Sequence, residues 1–313
     1  MVASPNLTRV VAWMTGALIS FSASALAVRA LGKQLNIFEI LSIRSGAGVL
    51  VLLVMLAIWP ELRREIAPRY MGYHLARNVT HFTGQYAWAL AVTVLPFATV
   101  FSLEFTTPAW VALLAALILG ERMTKSRLGS VILGFLGVLV IVRPGMASFQ
   151  PMALVVLFAA FAFAISLIVT KQLTNRVNTF AIIFWMNVIQ LPIALTWPVI
   201  VAAQGGPSLF VFRLGADLIV PTLALGVVGL TSHFCLTQAF RSGDATVVVP
   251  LDFLRIPLIA LVGWLFYGEA LDAFVFGGAG LIICGVLWNL LAESRRSGIA
   301  VAASTEKAQA AES

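Results

Sequence analysis

Charge is what this sequence has least of. Lys, Arg, Asp and Glu make up 11% of its 313 residues, under half of the roughly 25% carried by a soluble domain. That shortage excludes an ordinary water-soluble fold. With 60% hydrophobic residues and a mean hydropathy of +0.99, it points to a chain bathed in lipid. Cysteine is almost absent. Cys235 and Cys284 both fall inside apolar stretches, where a thiol is ordinarily a small packing residue, so neither a disulfide nor a redox centre is expected. There is no glycine-rich phosphate loop, nucleotide-binding motif or metal-ligand spacing. No cofactor or metal is therefore expected, and no ATP-driven pump within the chain. The formal charge of +7 would suit nucleic acid, but the basic residues stand singly or in short clusters between apolar runs. That is the pattern of loop residues that set membrane topology. The bilayer, not nucleic acid, is the expected partner.

What the sequence has is apolar length. A span needs about 20 such residues, and ten are expected: 9–31, 37–59, 73–94, 97–119, 127–143, 151–170, 178–202, 217–239, 246–267 and 272–292. The stretch SASALA (20–25) resembles a signal-peptidase site, but the run around it is long enough to span, and it reads as an uncleaved first helix. Residues 293–313, rich in Ala, Ser, Lys and Glu without an apolar period, read as a disordered cytoplasmic tail.

The chain also repeats itself. The run Ser102–Leu139 returns 148 residues later, from Pro250 to Leu287, without a gap. Leu103 meets Leu251, Phe105 meets Phe253, Gly120-Glu121 meets Gly268-Glu269, and Gly137-Val138-Leu139 meets Gly285-Val286-Leu287. Glu104 meets Asp252, acid on acid within an apolar run. Apolar composition alone supplies leucine matches, not glycines and an acid in register, so this is an internal duplication. The front spans are less alike, although Asn36-x-Phe38 echoes Asn178-x-Phe180. The halves are 9–143 and 151–292.

Loop charge gives an orientation. One side collects Arg9, Arg63, Arg64, Arg69, Arg122, Lys125, Arg127, Lys171, Arg176, Arg241, Arg295, Arg296 and Lys307. The other has Arg29, Lys33, Arg143 and Arg213. Both termini are then cytoplasmic, and five spans per half insert the second half upside down. The expected fold class is an all-α membrane protein of ten transmembrane helices in two inverted five-helix repeats, with substrate sites near the midplane. Glycines at 129, 134 and 137 and at 277, 280 and 285 mark closely packing helices, and raise the expectation of a homodimer contact.

The run LPFATVFSLEFTTPAW (95–110), Gly120-Glu121-Arg122, Gly129, Gly137 and Arg143-Pro144-Gly145 resemble the drug/metabolite transporter superfamily, specifically EamA-type proteins with two five-helix repeats. The resemblance spans essentially the whole chain. It implies a transporter of small metabolites such as amino acids, nucleotide-like compounds, vitamins, amines or drugs. The second repeat departs at the central proline: Pro108 aligns with Ile256, with Pro250 and Pro257 nearby, so the two central helices are expected to bend differently.

Charged groups at membrane depth are few: Glu39, Arg44, Arg77, Glu104, Asp252 and Arg255. Such groups usually face a cavity or a partner. Asp252 and Arg255, three apart, share a helix face. Glu104 has no such neighbour, and Arg44 is its expected partner. One account makes these groups charge pairs that hold helices together; the other gives Glu104 and Asp252 a proton-coupling role and the arginines a substrate-binding one. Arg77, Asn78, His81, Gln85 and Trp88 recur at helical spacing in the third span, as a wet cavity wall would. His233, Thr237 and Gln238 in the eighth span, with Trp185 and Asn187 in the seventh, extend the set. Glu121 and Glu269 begin loops and read as helix caps.

Two functions follow. One is a secondary transporter of the bacterial inner membrane, moving an amino acid or related polar metabolite by alternating access, export preferred. Its substrate-binding residues are Arg44, Arg77, His81, Gln85, Trp88, Trp185, His233, Gln238 and Arg255. The other is an intramembrane enzyme using His81, His233 and the carboxylates. An enzyme needs one concentrated asymmetric site, whereas these residues are spread over both halves. Transport is the expectation, and no catalytic residue is assigned.

Overall fold

The computed structural model describes residues 7–118, 123–144, 146, 149–174, 176–206, 215–242 and 251–312. These are helical, with no strand among them. The helices are α1 (Leu7–Leu31), α2 (Ile37–Ile58), a short 3-10 turn (Pro60–Arg64), α3 (Met71–Val94), α4 (Phe97–Glu104), α5 (Thr107–Ile118), α6 (Lys125–Val142), α7 (Met152–Thr174), α8 (Thr179–Ala203), α9 (Ala216–Ser242), α10 (Arg255–Tyr267) and α11 (Ala273–Glu312).

The echo between Asn36 and Asn178 is a pair of equivalent helix caps. Each asparagine holds φ −76° and ψ 165°, and its side chain accepts the amide three residues on. Ahead of α2 the box is complete, because the Glu39 carboxylate also accepts from the Asn36 amide at 2.9 Å. Glu39 is thus a capping residue of the first helical turn and not a cavity charge, as its depth in the span had implied. Ala181 stands at its place in α8, so only half the box is repeated there.

The main helix contacts run between the two halves: α1 with α9, α3 with α7, α2 with α8 and α6 with α11. The first two pairs exchange roles, first span with third and third with first. The last two are each helix with its own copy. This reciprocity is what a pseudo-two-fold axis requires. It recurs in detail: Gly137 lies against the Gly278 carbonyl, while Gly285 lies against the Ser130 carbonyl, and Ser130 aligns with Gly278 as Gly137 aligns with Gly285. A Cβ on Gly137 would fall 2.5 Å from that carbonyl oxygen. These packing glycines are therefore used inside the chain, whereas Gly277 and Gly280 meet nothing within 4 Å.

The core gathers around α4, where Phe97, Val100, Phe101 and Leu103 are fully buried. Leu50, Val54, Leu117, Val220 and Phe266 are exposed, an apolar exterior suited to acyl chains. Among the described residues eight stretches are long and apolar enough to cross a bilayer, two fewer than expected. α3 falls out because its polar stripe lowers its hydropathy, though 24 residues reach about 36 Å at 1.5 Å each. The span expected at 246–267 begins outside the described residues, and α10 keeps 13 residues of it. The expected fourth span is two helices, α4 and α5, broken at 105–106. Helix α11 continues to Glu312, through the segment read as a disordered tail. Ala, Glu, Lys and Gln are strong helix formers; composition without an apolar period argues against core packing, not against helix.

Candidate functional site

Each half breaks its fourth helix at the same aligned place. Residues 105–106 are a turn between α4 and α5, and residues 253–254 are a turn ahead of α10. The bends were expected to differ because the prolines are one position out of register. They coincide instead. Pro108 and Pro257 both fall in the first turn after the break, where the missing amide has no intrahelical carbonyl to meet. In the first half, threonines cover the exposed carbonyls: Thr106 Oγ1 donates to Leu103 and Thr107 Oγ1 to Glu104, both at 2.7 Å. The second half has Leu254 and Arg255 at those places.

The two breaks meet. Phe105 and its copy Phe253 lie with ring centroids 4.9 Å apart, which places the pseudo-two-fold axis between them. Beside them Arg255 binds Asp252 with one nitrogen, at 2.5 and 2.6 Å to the two carboxylate oxygens. Its other terminal nitrogen lies 3.6 Å from Glu104 Oε1. Glu104 therefore pairs with Arg255 from the other half, not with Arg44 as expected from neighbouring spans. Its second oxygen accepts the indole N–H of Trp88 at 2.8 Å. Phe21, Phe105 and Phe101 surround the guanidinium, with ring centroids at 4.2, 5.3 and 5.9 Å. The side chains of Arg255, Glu104 and Asp252 are 7%, 23% and 19% exposed, so the cation is buried and each acid keeps about a fifth of its surface. One cation held between two duplicated acids at paired helix breaks can keep one partner and release the other if the halves rock.

From Trp88 the polar stripe runs down α3 to Arg77, eleven residues or about 16 Å away. His81 Nδ1 lies 3.1 Å from Gln190 Nε2 on α8. Gln190 also donates to Asn78 Oδ1 at 3.3 Å. Arg77, buried, donates from Nη1 to Asn78 Oδ1 at 2.8 Å and from Nε to Thr170 Oγ1 on α7 at 3.3 Å. Gln85 is buried on the same face. Arg44 on α2 packs against Gly229 of α9, close enough for its charge to act on Arg77. Asn187 bonds the Ile183 carbonyl of its own helix, and Trp185 sits five residues before Gln190 on α8. The structure thus brings Arg77, His81, Trp185 and Arg44 around α3 and its neighbours, and Trp88, Glu104, Asp252 and Arg255 around the breaks. Gln238 is half-buried on α9; the side chains of His233 and Thr237 lie outside the described residues, as does Glu121.

Three contributors were missed. His74, three residues before Arg77 on the same face, is fully buried; continuing the stripe by one turn would have found it. Gln190 is signalled only by being a polar residue mid-span. The third is Arg29, counted merely as a loop charge. It donates to the carbonyls of Val92 and Leu95 and to Glu269, and its guanidinium lies 3.4 Å from the Phe97 ring centroid. Glu269 in turn accepts the Phe97 amide at 2.8 Å. One ion pair between the halves thus neutralises the C-terminus of α3 and the N-terminus of α4. The cap expected of Glu269 is real, but on a helix of the other half. Gly268 ends α10 with φ +63°, the left-handed cap that glycine adopts without strain, and so sets Glu269 in place. On the same side Gln34 bonds Asp217 at 2.6 Å and Arg143 pairs with Asp272.

A duplicated helical bundle with an apolar exterior and a charge cluster where its two broken helices meet has the build of a membrane transporter. The chain belongs to the EamA-like transporter family, which matches residues 8–143 and again 150–291. It is 32% identical over 230 residues to a riboflavin transporter of Rhizobium johnstonii, covering 72% of each chain. It is 25% identical to an S-adenosylmethionine uptake transporter of Rickettsia prowazekii, over 91% of this chain and 93% of the other. The pseudopaline exporter CntI of Pseudomonas aeruginosa is 29% identical over 84% of this chain and 89% of its own. A solved structure of 17% identity shares the fold with a TM-score of 0.59, over 92% of this chain and 98% of that one. These relatives carry dissimilar solutes in both directions, so family membership fixes neither.

Proposed function

We propose that the protein is a secondary transporter of ten transmembrane helices in two inverted repeats, moving a small polar organic metabolite across the bacterial inner membrane by alternating access. The observation that carries this is the meeting of the two helix breaks at Glu104, Arg255 and Asp252. Arg255 travels with Asp252 and reaches Glu104 of the other half, so rocking about the Phe105–Phe253 contact makes or releases that cross-half pair. Both termini are cytoplasmic in this reading, which makes the face bearing Arg29–Glu269 external and the described state closed on that side. The solute is an amino acid or related compound, exported, bound along α3 by Arg77, His81, Gln85 and Trp88 with Arg44, Trp185, His233, Gln238 and Arg255 around it. Glu104 and Asp252 couple transport to protons: a proton on Glu104 stands in for the guanidinium when the cross-half pair is released. A second copy would pack on the open glycine face at Gly277 and Gly280.

Comparing the metabolites released by cells lacking and overproducing the protein identifies the solute. Flux of that solute into proteoliposomes, unchanged chemically, tests the function. Chemical conversion without flux would refute it. Glu104→Gln is expected to keep solute exchange but lose its response to an imposed pH gradient; wild-type flux indifferent to the gradient would remove the coupling role.

A further inference from the structure

Three buried nitrogens at the far end of the polar stripe have no hydrogen-bond partner among the described residues: Nδ1 and Nε2 of His74 and Nε1 of Trp185. The two rings face each other across α3 and α8 with centroids 6.3 Å apart. Arg77 lies one turn from His74, close enough for its charge to act on that ring. Its guanidinium is fixed by Thr170 and Asn78. Asn78 also donates to the Trp185 carbonyl at 3.3 Å, tying the backbone that carries the indole to the helix that carries the arginine. Among the described residues no Asp or Glu pairs with any of these side chains.

Leaving a buried polar group unpaired costs about 1–3 kcal/mol, so native chains seldom do it without a reason. Here the unpaired groups cluster, and they sit beside a fixed cation. Trp offers only a donor, Arg only donors, and neutral His one N–H and one acceptor nitrogen, so donors outnumber acceptors here. The missing partner is therefore acceptor-rich and negative. A carboxylate supplies the acceptors these donors lack, two oxygens in one plane, and Arg77, with Arg44 near it, supplies the countercharge. An amine without a carboxylate would be repelled by Arg77.

We propose that His74, Arg77 and Trp185 form an anion subsite for the carboxylate of the transported solute. The proposal rests on the transport reading and narrows its substrate class to carboxylate-bearing metabolites. The rest of the stripe then extends from the subsite towards Trp88 and Glu104, which leaves the remainder of the solute to His81, Gln190 and Gln85.

Saturation-transfer NMR on the full-length protein in nanodiscs tests it, with propionate and propionamide as probes at matched ionic strength. Propionate is expected to give a saturable signal and propionamide, the same shape without the charge, none. Trp185→Phe keeps an aromatic ring, though a smaller one, and removes the N–H, and should weaken propionate binding about tenfold, as loss of one hydrogen bond to a charged group does. Arg77→Gln should abolish the signal; if that variant fails to insert, the Trp185→Phe titration decides. Equal signals from the two probes, no propionate signal from the wild type, an unchanged affinity in Trp185→Phe, or displacement of propionate by lower concentrations of inorganic phosphate would each overturn the carboxylate subsite. Binding is read without flux. Failure here leaves a positive proteoliposome result standing, and propionate binding without flux of any released metabolite would sink the transport reading alone.

Discussion

Arg255→Gln separates a structural cation from an ornamental one. In the folded chain Arg255 makes two bonds of 2.5 and 2.6 Å to Asp252 and a longer 3.6 Å ion pair to Glu104. Removing it leaves two acids near each other with no cation. Breaking a buried pair by deleting one partner costs about 3–5 kcal/mol. Because both acids keep about a fifth of their surface, the lower end applies, roughly 3 kcal/mol. Asp252→Asn alone should cost less, since Arg255 still has Glu104 to approach. The double variant Arg255→Gln with Asp252→Asn should recover at least half of the loss, because only Glu104 is then left without a cation and Trp88 still donates to it. Thermal unfolding of the four proteins in one detergent reads the series as a double-mutant cycle. If Arg255→Gln melts with the wild type, or the double variant is no more stable than Arg255→Gln, the cluster is not held by charge and the two helix breaks are joined by packing alone.

Topology is tested by labelling: single cysteines near Arg64 should be shielded from an impermeant thiol reagent in intact cells, and those near Asp272 labelled; the reverse would overturn the orientation and the inverted repeat with it. The glycines make a paired test. Gly278→Ala drives a methyl group to 2.6 Å from the Gly137 carbonyl and should destabilise by about 1–3 kcal/mol, as overpacking does, whereas Gly277→Ala, with nothing within 4 Å, should be neutral or slightly stabilising in a melting experiment.

Some of this was legible in the sequence for specific reasons. The duplication showed because Glu104 and Asp252, and Gly137 and Gly285, keep their register, and the same residues turn out to lie at the axis and at the α6–α11 contact. Asn36 and Asn178 were visible as an echo because capping depends on the residue itself. The break at 105–106 was legible only in part: Pro108 raised the expectation of a bend, but no glycine or proline stands at the turn itself to fix its place. The partner of Glu104 was assigned from neighbouring spans, but Arg255 comes to it from the other half. A pairing created by the two-fold axis has no trace in sequence spacing. Arg29 and Glu269 each looked like a loop charge for the same reason. Their pairing depends on α10 ending at Gly268 beside a corner contributed by the first half.

That pair leads to a last test, on closure of the face that bears it, which is external in the proposed orientation. Arg29 and Glu269 have side chains 10% and 12% exposed, and Glu269 also receives the Phe97 amide. Glu269→Gln keeps the shape and an oxygen for that amide but removes the charge. Exchanging a charge-assisted bond for a neutral one loses about 1–2 kcal/mol. If the pair is a latch between the halves, that energy is lost only from the closed state. The open population should then rise about tenfold, since 1.4 kcal/mol is a factor of ten. Ser102→Cys is a suitable reporter: it is nearly isosteric, fully buried on α4 below the latch, and can be placed in a chain with Cys235 and Cys284 replaced by serine. Its reaction rate with an impermeant thiol reagent applied from outside should rise about tenfold in Glu269→Gln and stay unchanged in Glu61→Gln, on the opposite face. A rate unaffected by Glu269→Gln would mean that the pair only fastens the corner between α3 and α4, and that the external face is closed by the packing of Phe97 and Tyr267.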